Sequence, residues 1–163
     1  MKKLNFDFVF LGQSVLKYQV PLDIFMTINH IYDVNKNKLH KANKQLVGKI
    51  EDEHSLFYYG KDQTKMKNHN RLPKTVTHYF IEMFKHYLAF NKIRDYDLHL
   101  SSIWVNEMKQ HEYNPAHVHR GTLFTGLSSV MVLKLPSTYG REYSAGHVQQ
   151  NGRLQILGAA NGP

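Results

Sequence analysis

The sequence predicts an α+β domain in which helices come first and strands follow. Three observations carry that expectation. Apolar residues fall at helical spacing after Pro21 and again after Pro73. Beyond the polar turn Arg94-Asp95-Tyr96-Asp97 the pattern changes to short apolar stretches of strand length. The chain has 163 residues, 42% of them hydrophobic, which is enough to bury one sizeable core.

The elements follow in chain order. Residues 5–17 alternate loosely and predict a first strand. From Pro21, the positions Ile24, Phe25, Ile28 and Ile31 predict a helix over about 21–33, since proline suits a first turn whose N–H would be unpaired anyway. A weaker helix is expected over Leu39–Val47, ending at Gly48. The clearest helix runs over about 73–90, where Val76, Phe80, Met83, Phe84, Tyr87 and Leu88 form one broad apolar stripe. Leu98 to Val105 then reads as a strand. Ser128 to Leu135 reads as a largely buried strand that Pro136 ends, and Arg153 to Leu157 as another, after the Asn151-Gly152 turn. No repeat, low-complexity tract or linker interrupts the chain. The expectation is therefore a single domain over 1–163, helical over about 1–95 and β-rich over about 96–163, with helices packed on one face of an antiparallel sheet or barrel.

Composition narrows the function classes. No apolar run approaches the roughly 20 residues of a membrane span, and the first residues lack the apolar stretch of a secretory signal. Cysteine is absent, so any bound metal must use His, Asp or Glu. A cytoplasmic protein with no membrane partner is expected. The net charge of +8 sits mostly before residue 100, with lysines at Lys36, Lys38, Lys41, Lys44 and Lys49 and again at Lys61, Lys65 and Lys67. Such runs can bind phosphate backbones. Arginine is scarce and no aromatics are interleaved with Lys36 to Lys49, so a solvated face is favoured over a nucleic-acid platform.

The most informative stretch is Tyr113-Asn114-Pro115-Ala116-His117-Val118-His119-Arg120-Gly121. His117 and His119 lie two apart. On an extended backbone both imidazoles project from one face, where two neutral imidazoles can chelate a divalent transition metal. In a chain with 11 histidines one His-x-His by chance is unsurprising, so the spacing alone leaves metal binding open.

The run Trp104-Val105-Asn106-Glu107-Met108, then Tyr113-Asn114-Pro115, His117-Val118-His119, Thr125-Gly126-Leu127 and Val132-Leu133-Lys134-Leu135-Pro136 resembles the phage and marine-bacterial branch of the 2-oxoglutarate/Fe(II) oxygenases. That pattern runs roughly W-V-N, Y-N-P-x-H-x-H, S-G-V-x-Y-L-K-x-P. The stretches Val20-Pro21-Leu22 and Leu46-Val47-Gly48 are similar too, so the resemblance spans most of the chain. It implies a double-stranded β-helix, or jelly-roll, with Fe(II) at one mouth, 2-oxoglutarate as co-substrate and ascorbate as an accessory reductant. The implied activity is hydroxylation of a protein side chain or a small molecule, in a host cytoplasm if the source is viral.

The family's ligands are His-x-Asp/Glu and a distal His. His117 matches the first. His119 stands where the carboxylate is usual, and either replaces it as a nitrogen ligand or lines the pocket. Asn106, on the preceding strand, either faces that pocket or is an ordinary strand asparagine. Tyr113 is a candidate hydroxyl donor to the co-substrate, and Lys134 a candidate contact for its carboxylate. Each has an ordinary alternative, a half-buried aromatic and a solvent-facing strand lysine. The late His and Arg of the family have no match, His147 and Arg153 being weak replacements. The resemblance therefore implies a domain lacking its last strands, whose open edge would pair two copies into a homodimer. The competing expectations are a cupin-like metal-binding module without 2-oxoglutarate and a basic nucleic-acid-binding protein.

Overall fold

The structure is a computed structural model that describes residues 4–10, 14–42, 48–61, 66–115, 117, 126–137 and 154. It is a mixed α+β arrangement of two α-helices and antiparallel sheets. Strands β1 (Phe6–Phe10) and β2 (Ser14–Tyr18) form an antiparallel hairpin with Phe6 opposite Tyr18. Helix α1 is Leu22–Asn35, followed by a 3-10 turn over Lys36–Lys38. Strands β3 (His40–Lys41), β4 (Asp52–Tyr58) and β5 (His69–Asn70) come next. Helix α2 (Lys74–Phe90) and strand β6 (Ser102–Glu107) follow.

Both expected helices form where their apolar stripes lie. Helix α1 buries Ile24, Ile28 and Tyr32, and α2 buries Val76, Phe80, Met83 and Leu88. These meet Leu39, Leu56 and Leu72 in one core, against which Ile103 and Val105 of β6 also pack. Burying such side chains contributes roughly 1.5–3 kcal/mol each before chain entropy is counted. Helix α2 ends without a glycine. Lys92 adopts a left-handed φ of 57°, its N–H bonds the Ala89 carbonyl at 3.0 Å, and the Ile93 N–H bonds the Leu88 carbonyl at 2.9 Å. This pair of bonds satisfies carbonyls that the last turn would otherwise leave open. The β1–β2 hairpin docks on α2 through aromatic edges, with the Phe6 ring 4.7 Å from His86 and 6.0 Å from Phe90.

Several expectations need correction. The single strand over 5–17 is a two-stranded hairpin. The weak helix expected from Leu39 is not formed at its start: His40 and Lys41 are extended and pair with Ser55 and His54 of β4. The tertiary pairing there overrides a weak helical propensity, while Leu39 is buried in the core. Residues 43–47 lie outside the described set. Strands do not wait for residue 96, because β4, the centre of the larger sheet, stands between the two helices. The strand expected over Leu98–Val105 is observed as Ser102–Glu107. Residues 126–137 make no assigned ladder among the described residues. They alternate rather than bury throughout: Met131 and Leu133 pack against the core, while Val130, Val132 and Leu135 are exposed. The strand expected over 153–157 lies outside the described residues apart from Leu154. No helix of the described residues is long and apolar enough to cross a membrane.

Candidate functional site

The site is built on β4 and β6. Their antiparallel register sets Asp52 opposite Glu107, Glu53 opposite Asn106, His54 opposite Val105 and Ser55 opposite Trp104. A bulge between Ser55 and Phe57 follows. Side chains alternate across a strand, so the two faces of this pair differ in chemistry. One face carries His54, Val105 and Ile103 toward the helices. The other carries Glu53, Ser55, Trp104 and Asn106, with His40 opposite Ser55 and His69 opposite Tyr58.

On the helix-facing side Tyr32 links the sheet to α1. Its hydroxyl donates to Glu107 Oε2 at 3.0 Å. Having one proton to give, it then accepts from His54 Nδ1 at 3.2 Å, which fixes the His54 tautomer. Burial pulls the His54 imidazole below its usual range and pushes the Tyr32 hydroxyl up, so both stay neutral at physiological pH. Beside them lies a cleft of about 290 Å³ lined by Lys36, Lys41, Asp52, His54 and Glu107. Its charges pair within the chain: Lys36 with Glu107 and Lys41 with Asp52, each at 3.5 Å, while Lys109 reaches Asp52 at 2.7 Å. Lys109, as the nearest donor, holds the Asp52 carboxyl below the usual carboxylate range. These lysines answer local carboxylates rather than forming a uniform cationic surface.

On the opposite face Ser55 and His69 satisfy one another. His69 Nδ1 donates to the Lys67 carbonyl at 2.9 Å, which leaves Nε2 to accept the Ser55 hydroxyl at 3.0 Å. Glu53 is only 5% exposed, and burial pushes its carboxyl above the usual range. Glu53 Oε2 and Asn106 Oδ1 are both buried and make no hydrogen bond among the described residues.

The chain leaves β6 through a tight turn and returns along the sheet. His111 takes a φ of 67° in that turn. The Glu112 carboxylate braces it, accepting the Lys109 N–H at 2.8 Å and the Glu51 N–H at 3.0 Å. Those two backbone donors hold the Glu112 carboxyl below its usual range. Lys49 and Tyr113 then exchange a pair of backbone hydrogen bonds, 2.9 and 3.1 Å long. Gly48 lies beside them so closely that a β-carbon there would stand 2.9 Å from both Asn114 Cα and Pro115 Cδ, and nearer still to the Tyr113 carbonyl oxygen. The glycine is thus required by close approach. From this fixed backbone His117 Nδ1 bonds the Pro115 carbonyl at 2.8 Å.

No family model, curated protein or solved structure matches the chain.

The residues singled out by sequence are placed as follows. His117 is exposed, with its Nδ1–H committed to the Pro115 carbonyl, which makes Nε2 the ring's acceptor nitrogen. His119 lies outside the described residues, as do His147 and Arg153. Asn106 is on the same face as Glu53, with a carbonyl oxygen that makes no hydrogen bond among the described residues. Tyr113 is an exposed side chain on a backbone pinned to Lys49. Lys134 is exposed and pairs with both carboxylate oxygens of Asp33 on α1, at 2.6 and 2.8 Å. Among the described residues no three His, Cys, Asp or Glu side chains gather as a metal cluster. Sequence reasoning missed Glu53, Ser55, His54 and His69. The signal that could have found them is the Asp-Glu-His-Ser run opening β4, an unusually polar start for a central strand.

Proposed function

We propose that the chain is an Fe(II)/2-oxoglutarate-dependent oxygenase of the double-stranded β-helix type, acting on a protein side chain or a small molecule. One observation carries the reading: His117, in the motif that resembles this family, has its Nδ1 proton tied to a backbone carbonyl, the arrangement that metal-ligating histidines use to present Nε2. The segment that bears it is braced by Glu112, Lys49 and Gly48, so the imidazole starts from a defined backbone position. A sheet with helices on one face and polar side chains on the other also suits a jelly-roll whose inner face surrounds a pocket. The fit to iron is partial within the described residues, with one histidine of suitable tautomer and no cluster of three ligands. The further ligands belong to residues outside that set, His119 first. Bound iron with 2-oxoglutarate would supply oxygen activation. The chain's own part is to orient His117, to offer the Tyr113 hydroxyl near the same segment and to line the approach with Asn106 and Trp104. Lys134 can serve a co-substrate carboxylate only by leaving Asp33.

Co(II) titration of the protein and of His117→Ala tests this reading, with 2-oxoglutarate binding and succinate release measured under Fe(II). Loss of roughly tenfold or more in metal affinity in His117→Ala is expected. Unchanged metal affinity overturns the assignment. Metal binding without any 2-oxoglutarate binding would instead favour a cupin-like module.

A further inference from the structure

We infer that Glu53 and Asn106 form a binding site for a guanidinium group on the face of the β4–β6 sheet opposite α1 and α2. The two residues are direct partners across the antiparallel ladder, so their side chains rise from the same face side by side. Each presents a buried acceptor with no hydrogen bond among the described residues, Glu53 Oε2 and Asn106 Oδ1. Glu53 itself is 5% exposed. Buried acceptors are nearly always answered by a donor, and two facing ones in adjacent strands call for a shared donor.

The neighbouring side chains do not supply it. Ser55, the next residue of β4 on this face, gives its proton to His69 Nε2, and the single His69 N–H, on Nδ1, goes to the Lys67 carbonyl. Neither Ser55 nor His69 therefore answers the two acceptors at the end of this face. Burial is the cause that pushes the Glu53 carboxyl up. A carboxylate held there gains most from a partner that brings charge as well as N–H groups. A guanidinium does both: it is planar, keeps its charge, and presents its N–H donors as a rigid fork that can engage a carboxylate and a second acceptor together. Trp104 stands one step along β6 on the same face, which places an aromatic residue beside Asn106. The inference rests on this face alone and holds or fails with no metal present, independently of the oxygenase reading.

The test uses the metal-free full chain with Nα-acetyl-arginine methyl ester, whose only charge is its guanidinium, against the citrulline counterpart, which is neutral and nearly the same shape. Calorimetry measures affinity. Carbon NMR of the Glu53 carboxyl, assigned by its loss in Glu53→Gln, reports its ionisation in the unaltered protein. The arginine probe is expected to bind saturably and at least roughly tenfold more tightly than the citrulline probe, as befits a charge-assisted contact. Its binding is expected to move the Glu53 carboxyl resonance to the ionised position. Glu53→Gln and Asn106→Ala should each weaken the arginine probe while leaving the citrulline probe little changed. Equal affinity for the two probes overturns the proposal, as does the absence of saturable arginine binding. A Glu53 resonance that does not respond to the arginine probe overturns it as well, and that readout is taken on the unaltered protein, with Glu53→Gln used only for assignment.

Discussion

Replacing Gly48 by alanine adds one methyl group at a place where three backbone or ring atoms already crowd the position. The new β-carbon would lie 2.9 Å from Asn114 Cα and from Pro115 Cδ, closer than carbon atoms pack, and closer again to the Tyr113 carbonyl oxygen. None of these is the far end of a flexible side chain, so the 113–115 segment must move off the sheet. The move breaks the two bonds between Lys49 and Tyr113. At about 0.5–1.5 kcal/mol per bond the loss is about 1–3 kcal/mol. The smaller unfolded-state entropy of alanine offsets this by roughly 0.4–1 kcal/mol, and residual strain adds to it. A net loss of about 1–2.5 kcal/mol is expected, which for a urea m-value of about 1–3 kcal/mol/M lowers the midpoint by roughly 1 M. Because His117 hangs from the displaced Pro115 carbonyl, Co(II) affinity should fall as well, although Gly48 touches no metal. A midpoint unchanged in urea together with unchanged Co(II) affinity would refute the claim that Gly48 holds this segment.

Three further outcomes follow from the same geometry. Leu56, fully buried at the bulge of β4, should lose about 2–5 kcal/mol on change to alanine, whereas exposed Val132→Ala should stay within about 0.5 kcal/mol; comparable losses in urea unfolding would contradict the burial assigned to both. His54 has a folded pKa below its unfolded value near 6.5, so the unfolded chain takes up its proton first on acidification. Stability is then lost as pH falls below about 6.5, and a pH series of unfolding midpoints should be flatter there in His54→Asn than in the wild type; parallel curves would sink the assignment. His119→Asp should retain metal, because Asp is the usual residue at that place in the family the motif resembles, and complete metal loss in a folded variant would count against that correspondence.

The helices were legible because their burial follows the 3.6-residue period that apolar residues display in the sequence. Tyr32, Ile28 and Ile24 on α1, and Phe80 and Val76 on α2, sit where that period points inward. Strand β4 was not legible, for a physical reason. Its first four residues are Asp52, Glu53, His54 and Ser55, and three of these are buried by polar contacts or pairing rather than by apolar character. A reading based on hydrophobic period has nothing to register there. Strands β3 and β5 contain two residues each and lie below any periodicity. The run Ser128 to Leu135 suggested a largely buried strand, but only Met131 and Leu133 of it pack against the core. Of the candidate site, His117 was visible as part of a motif. The meeting of Glu53 with Asn106 was not, because strand register between distant segments is written in tertiary packing rather than in either segment alone.

Strand β4 also bears on how the molecule can move. It has neighbours along both edges, β6 on one and β3 with β5 on the other, and its Leu56 side chain anchors the core beneath. Between β4 and β6 runs the chain that forms α2, so parting the two strands also strips the helix of its platform. Local fraying is open to the short outer strands, whereas β4, paired on both edges and anchored by Leu56, is expected to open last. The polar face is therefore a stiff floor.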